Sequence, residues 1–160
     1  MRSEAEVAQA IGEYADTVKR ICVVYLKNPT DTQDIFQEVF LKYALSSQRF
    51  ESREHEKAWL IRVTVNQCKD LLKSAFRRKT LPLEEAAQIA APPETEQKQV
   101  LEAVLSLPEK YKIVVYLHYY EGYSGEELGK LLGKSPNTIY TLLSRAKVRL
   151  RNILEGQENG

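Results

Sequence analysis

LPEKYKIVVYLHYYEGYSGEELGKLLGKSPNTIYTLLSRAKVRLR, residues 107–151, decides the fold class. Its first part reads as a helix that Gly122 closes. Ser124 then stands three residues ahead of Glu127, the spacing of a capping box, and opens the short helix GEELGKLL at 125–132. Gly133 ends that helix, and Ser135-Pro136 supplies a second N-cap with proline at the first helical position. The last helix, PNTIYTLLSRAKVRLRNIL, puts Ile139, Leu143, Ala146, Leu150 and Ile153 on one face. Two helices joined by a short glycine-containing turn form a helix-turn-helix, whose second helix is the one that enters a major groove.

Three more helical patterns lie upstream. Val7, Ile11, Tyr14, Val18, Ile21 and Tyr25 recur every three or four residues until Asn28-Pro29 stops them. A second helix begins near Asp31, with Ile35, Phe36, Val39, Phe40, Tyr43 and Ala44 as a wide apolar stripe. A loop is expected within SSQRFESREHEK (46–57), and a third helix runs from about 57 to 79 with Leu60, Val63, Cys68, Leu71, Leu72 and Ala75 facing inward. LPLEEAAQIAAPPETE (81–96) is acidic, carries Pro82, Pro92 and Pro93, and has no sustained period, so it reads as a flexible linker. A short helix follows at about 95–106. The expected architecture is all-α: a three-helix domain over 1–80, a linker over 81–96 and a helix-turn-helix domain over 97–160.

Composition narrows the function. The 160 residues are 43% hydrophobic and 28% charged, which is ordinary globular chemistry. The longest apolar run, IVVYLHYY, falls far short of a membrane span, so no membrane insertion is expected. MRSEAEVAQA at the start lacks an apolar core segment, so no secretory signal is expected. Cys22 and Cys68 give neither a CxxC motif nor a disulfide framework, and the expected location is the cytoplasm. The net charge of +1 hides a segregation, since 1–80 carries 14 basic and 11 acidic side chains while 81–107 carries 1 and 5. His55 and His118 are isolated and no Glu-x-x-His occurs, which leaves no metal site. No nucleophile elbow, P-loop or dinucleotide fingerprint is present, so neither catalysis nor a cofactor is expected.

Two constellations suit nucleic acid. On the third helix Arg62, Asn66, Lys69, Lys73 and Arg77 recur at spacings of four, three, four and four, a mostly basic stripe extended by Arg78 and Lys79. Such a stripe can track a phosphate backbone while its asparagine bonds a base edge. Trp59, one turn before Arg62, is either a core side chain or a platform for an unstacked base. On the last helix Asn137, Thr138, Tyr140, Thr141, Ser144 and Arg145 lie off the apolar face, and Lys147, Arg149 and Arg151 follow with no acid before Glu155. The second helix presents Asp34, Gln37, Glu38 and Lys42 on a polar face its folding does not need.

On these residues the chain resembles the sigma-70 family, in particular its small extracytoplasmic-function (ECF) members. DIFQEVFLKY (34–43) resembles the region 2 helix that docks on the clamp of RNA polymerase, which implies that Asp34, Gln37 and Glu38 bind the core enzyme. AWLIRVTVNQCKDLLK (58–73) resembles the helix that reads and melts the minus-ten element. There Asn66 matches the asparagine associated with a base flipped from the non-template strand, and Trp59 the preceding tryptophan. Residues 107–151 resemble the region 4 helix-turn-helix for the minus-thirty-five element. Thr138, Thr141 and Arg145 match or conservatively replace recognition positions there, flanked by Pro136, Asn137, Ser144 and Lys147. The implied partners are core RNA polymerase, promoter DNA and an anti-sigma factor.

The chain also departs from the family pattern. Phe50-Glu51-Ser52 stands where the base-capturing loop often has Phe-Arg-Gly, and Tyr140 and Leu142 stand where the recognition helix often has Lys or Arg. Leu142 is expected to widen the core contact and Tyr140 to point outward and offer its hydroxyl or its ring edge. Two other classes are weighed against this reading. A helix-turn-helix repressor would leave the stripe on the third helix unexplained, and a helical-bundle enzyme would need a convergent histidine and carboxylate set that is missing.

Overall fold

The computed structural model describes the backbone of residues 1–75 and 96–159. The proposed linker, apart from its last residue, and Arg77, Arg78 and Lys79 lie outside the described residues. The chain divides into two compact units, Met1–Ala90 and Ala91–Gly160. Every regular element among the described residues is helical.

The first unit holds α1 (Glu4–Tyr25), α2 (Pro29–Leu45) and α3 (Arg53–Ala75). Ser3 caps α1 by accepting from the Glu6 amide at 3.1 Å. Asn28 caps α2, its Oδ1 accepting from Thr30 N at 2.8 Å. Pro29 therefore opens α2 as well as stopping α1, two residues earlier than expected. Its fixed φ and missing N–H suit the first helical position, where the N–H would be an orphan. α3 likewise starts four residues early, because the Ser52 hydroxyl accepts from His55 N at 3.1 Å.

The core of this unit is built on Val18, Ile21, Cys22, Val39, Leu60, Ile61, Val65 and Cys68. The inner face of α3 lies one strip away from the expected one. Leu60 and Cys68 are buried, but Val63, Leu71 and Leu72 are only half-buried. Ile61, Thr64 and Val65 fill the core instead, because α3 packs against both α1 and α2 and buries positions 60, 61, 64, 65 and 68 together. Thr64 is tolerated there because its hydroxyl donates to Leu60 O at 2.7 Å, which removes the cost of a buried polar group. Cys22 and Cys68 are both free and buried. The hydrogen bond to Cys22, together with burial, pushes the Cys68 thiol far up, so it stays protonated and inert.

The second unit holds α4 (Glu96–Leu105), α5 (Glu109–Val115), a π-helical turn (Tyr116–Tyr120), α6 (Gly125–Leu132) and α7 (Pro136–Asn159). The expected single helix up to Gly122 thus changes pitch. Glu121 N bonds back five residues to Tyr116 O at 3.3 Å. Leu117 stays fully buried, while Tyr119 and Tyr120 emerge at 51% and 60% exposure.

The helix-turn-helix forms as its caps foretell. Ser124 and Glu127 exchange both hydrogen bonds of a capping box, at 3.1 and 3.0 Å. Gly133 closes α6 at φ +67°, and Ser135 caps α7 by accepting from Thr138 N at 3.2 Å. Gly129 is needed for a different reason. A Cβ there would lie 2.6 Å from the Lys134 carbonyl oxygen, which the turn brings back against α6. Gly129→Ala is therefore expected to cost about 1–3 kcal/mol through overpacking against backbone. Urea unfolding checks this, and an unchanged midpoint would mean that the turn relaxes freely.

Candidate nucleic-acid and partner interfaces

On α2 the side chains of Asp34, Gln37 and Glu38 are exposed, and among the described residues neither carboxylate makes an ion pair. Their helix face continues into two leucines that the sequence reading missed. Leu41 and Leu45 are 53% and 61% exposed, seven and eleven residues after Asp34. The face is thus polar at its N-terminal half and carries two leucines beside the exposed Lys42 at its C-terminal half, a mixture suited to a protein partner. The signal was present in the sequence, since Leu41 and Leu45 lie off the stripe of Ile35, Val39 and Tyr43, all of which are buried.

On α3 the structure brings Arg62, Asn66, Lys69 and Lys73 onto one side. Arg62, Asn66 and Lys73 are exposed and Lys69 is half-buried, whereas Arg77 lies outside the described residues. Asn66 has no hydrogen-bond partner among the described residues, so both its donor and its acceptor are open to a ligand.

Trp59 sits beside this stripe in an aromatic corner, half-buried rather than free. Its ring meets Phe50 at 5.7 Å and Tyr43 at 6.2 Å between centroids. Tyr43 donates to the Glu56 carboxylate at 2.8 Å. Burial first, and that bond second, push the Tyr43 phenol up to about 12. It remains a neutral donor throughout the physiological range. The loop between α2 and α3 carries Phe50 into the corner and leaves Glu51 and Ser52 exposed. Glu51 N donates to His55 Nδ1 at 3.1 Å, which orients the segment after Phe50.

On α7 all eight expected residues, Pro136, Asn137, Thr138, Tyr140, Thr141, Ser144, Arg145 and Lys147, are exposed, while Ile139, Leu142, Leu143 and Ala146 are buried. Leu142 widens the core contact as expected. Tyr140 points outward as expected but differs at its hydroxyl. Its ring is exposed, but its hydroxyl donates to both carboxylate oxygens of Glu126 at 3.1 Å. The ring also covers Gly125, where a Cβ would fall 2.4 Å from it. The bond to Glu126 holds the Tyr140 phenol above its usual value. Tyr140 therefore ties α7 to α6 and does not offer a free hydroxyl.

The later cations are partly engaged as well. The Arg149 guanidinium lies 4.9 Å from the Tyr111 ring, and the Lys147 ammonium 5.8 Å from the Tyr119 ring. Tyr140→Lys alone should barely change the salt dependence of upstream DNA binding, because Glu126 would take the new charge. Combined with Glu126→Gln, the same change should steepen the log-affinity slope against log salt by about 0.9. A steep slope in the single variant would show that Glu126 does not reach residue 140.

Residues 10–78 match the family described as Sigma-70 region 2, and residues 97–150 match Sigma-70, region 4. The chain is 26% identical over 151 residues to the RNA polymerase sigma factor SigV of Bacillus subtilis, covering 93% of this chain and 91% of that one. It is 26% identical over 164 residues to the ECF RNA polymerase sigma factor SigW of the same organism, covering 92% and 88%. Among solved structures, the sigma factor RpoE of Bartonella quintana, crystallised with the anti-sigma factor NepR, superposes with a TM-score of 0.75 at 17% identity over 94% of this chain and 97% of that one. Both region matches fall in order on one chain, each on the unit whose exposed faces are described above, and the chain belongs to the ECF group of the sigma-70 family of RNA polymerase sigma factors.

Proposed function

We infer that the chain confers promoter specificity on core RNA polymerase. The exposed face of α2, with Asp34, Gln37, Glu38, Leu41 and Leu45, docks on the core enzyme. The stripe on α3 takes the minus-ten element, Asn66 bonds a base unstacked from the non-template strand, and the loop of Phe50, Glu51 and Ser52 receives that base. The exposed face of α7 takes the minus-thirty-five element. The observation that carries this reading is one chain with two separate units, each with a polar face unused by its own core: an asparagine-centred basic stripe on one and a helix-turn-helix on the other.

Each face holds few cations, so each binds DNA weakly alone. Mounting both on one polymerase makes the second contact intramolecular and multiplies affinity without new contacts. Holding an extruded base costs a few kcal/mol of unstacking, which these contacts must offset. A partner that covers the faces on α2 and α7 would silence the chain, and the complex of the Bartonella protein with an anti-sigma factor supports such a regulator. No described helix is long and apolar enough to cross a membrane.

The test is DNA binding from a pool of promoter fragments, with and without core polymerase. Retention of specific fragments only when core is present is the expected result. Tight binding of palindromic duplex by the chain alone would overturn the reading in favour of a repressor.

A further inference from the structure

Arg2 is one residue short of the α1 cap, yet its side chain is only 12% exposed. It is spent on the end of α2 and the loop that follows. Arg2 N donates to Ala44 O at 2.9 Å, and Nε donates to Tyr43 O at 3.0 Å. Both carbonyls belong to the last turn of α2, where the negative end of the helix dipole also favours a cation, and Tyr43 O accepts from Ser46 N at 3.3 Å as well. A second guanidinium nitrogen, Nη2, donates to Gln48 O in the following loop. The guanidinium carbon lies 4.4 Å from the Tyr43 ring centroid and 5.1 Å from that of Phe50. Nη1 is 3.7 Å from Glu6. One side chain thus fixes the end of α2, the middle of the loop and the ring of Phe50.

We propose that Arg2 is a positioning residue for base capture: by clamping residues 43–50 it presets the loop that offers Glu51 and Ser52 to the unstacked base. This rests on the minus-ten reading above. Past Gln48 the loop is held by the Phe50 ring, packed 5.7 Å from Trp59 and 5.3 Å from His55, but its middle has few other bonds. Gln48 N bonds the Ser46 hydroxyl at 3.0 Å, and beyond Phe50 the anchor is His55. Without the clamp, the loop must be ordered when the base arrives. Fixing even one backbone residue at that moment costs roughly tenfold in affinity. Lysine cannot replace the clamp, because its ammonium lacks the planar fork that reaches two carbonyls from one position.

The test uses the full chain with core polymerase and premelted promoter DNA on which that holoenzyme initiates. An abasic site is walked through the non-template minus-ten strand, and the position at which the native holoenzyme loses affinity identifies the captured base. Arg2→Ala should bind intact DNA about tenfold more weakly, equal the native protein on DNA abasic at that position, and keep its affinity for core. Arg2→Lys should fall between the two on intact DNA. Equal weakening on intact and abasic DNA would reduce Arg2 to general scaffolding and overturn the proposal, as would no weakening at all or full recovery by lysine. A native holoenzyme insensitive to every abasic position would instead defeat the base-capture reading, and the clamp's proposed purpose with it.

Discussion

Alanine at Asp34, Gln37 and Glu38 together is expected to weaken binding to core polymerase by at least about a hundredfold, since truncating paired charges in an interface costs about 2–5 kcal/mol each. The fold should survive. All three side chains are exposed, and none contributes to the core of Val39, Phe40 and Tyr43 on the same helix. Exposed substitutions away from caps and networks usually stay within about 0.5 kcal/mol, so the Tm should move by a few degrees at most. Competition between labelled native protein and the variant for core polymerase reads the first quantity, and thermal unfolding the second. Loss of both would show that the face is structural. Leu41→Asp should reproduce the binding defect from the C-terminal half of the face, where Leu41 is 53% exposed and its loss exposes no cavity.

The second large effect concerns Asn66. Replacing it with alanine removes a side chain with no partner among the described residues, so stability should be unaffected. A base-edge contact is worth about 1–3 kcal/mol, so open-complex formation should fall by roughly ten- to a hundredfold with core affinity intact. The measurement is fluorescence of a base analogue placed along the non-template minus-ten strand. An unchanged base-preference profile in the Asn66→Ala holoenzyme would remove Asn66 from the site and leave the stripe as a phosphate track alone.

Short-range chemistry was readable from the sequence. Ser124, Glu127, Gly133, Ser135 and Pro136 specify the helix-turn-helix because every cap bond spans four residues or fewer. The exposed face of α7 was equally plain, because its buried positions follow the helical period. Three features were not legible, each for a physical reason. IVVYLHYY is apolar or aromatic at every position but His118, so no helical period in it marks where α5 passes into the π turn that exposes Tyr119 and Tyr120. The buried strip of α3 includes Thr64, whose polarity hides a core position until its bond to Leu60 is seen. The contacts that shape the candidate sites are long-range in sequence. Arg2 reaches Tyr43 across 41 residues and Tyr140 reaches Glu126 across 14, and no local pattern encodes either pair.

The Tyr140–Glu126 bond also changes what the departure from the family pattern means. With its hydroxyl bound and its ring over Gly125, Tyr140 stiffens the junction of α6 and α7. On the proposed reading, upstream DNA is then left to Asn137, Thr141, Ser144, Arg145 and the amides at the start of α7. The Thr138 hydroxyl is 2.9 Å from that of Ser135 and so belongs to the cap as well as to the exposed face.

The central claim is that this chain gives core polymerase its choice of promoter, and transcription itself tests that most directly. Core polymerase is supplied with the chain and a pool of templates randomised upstream of a fixed reporter, and the templates that yield transcripts are sequenced. The account predicts transcripts that depend on the chain and share two short elements at a fixed separation. The downstream element should lose its base preference in the Asn66→Ala holoenzyme. Transcripts no different from those of core alone, or selected templates with no common element, would contradict it.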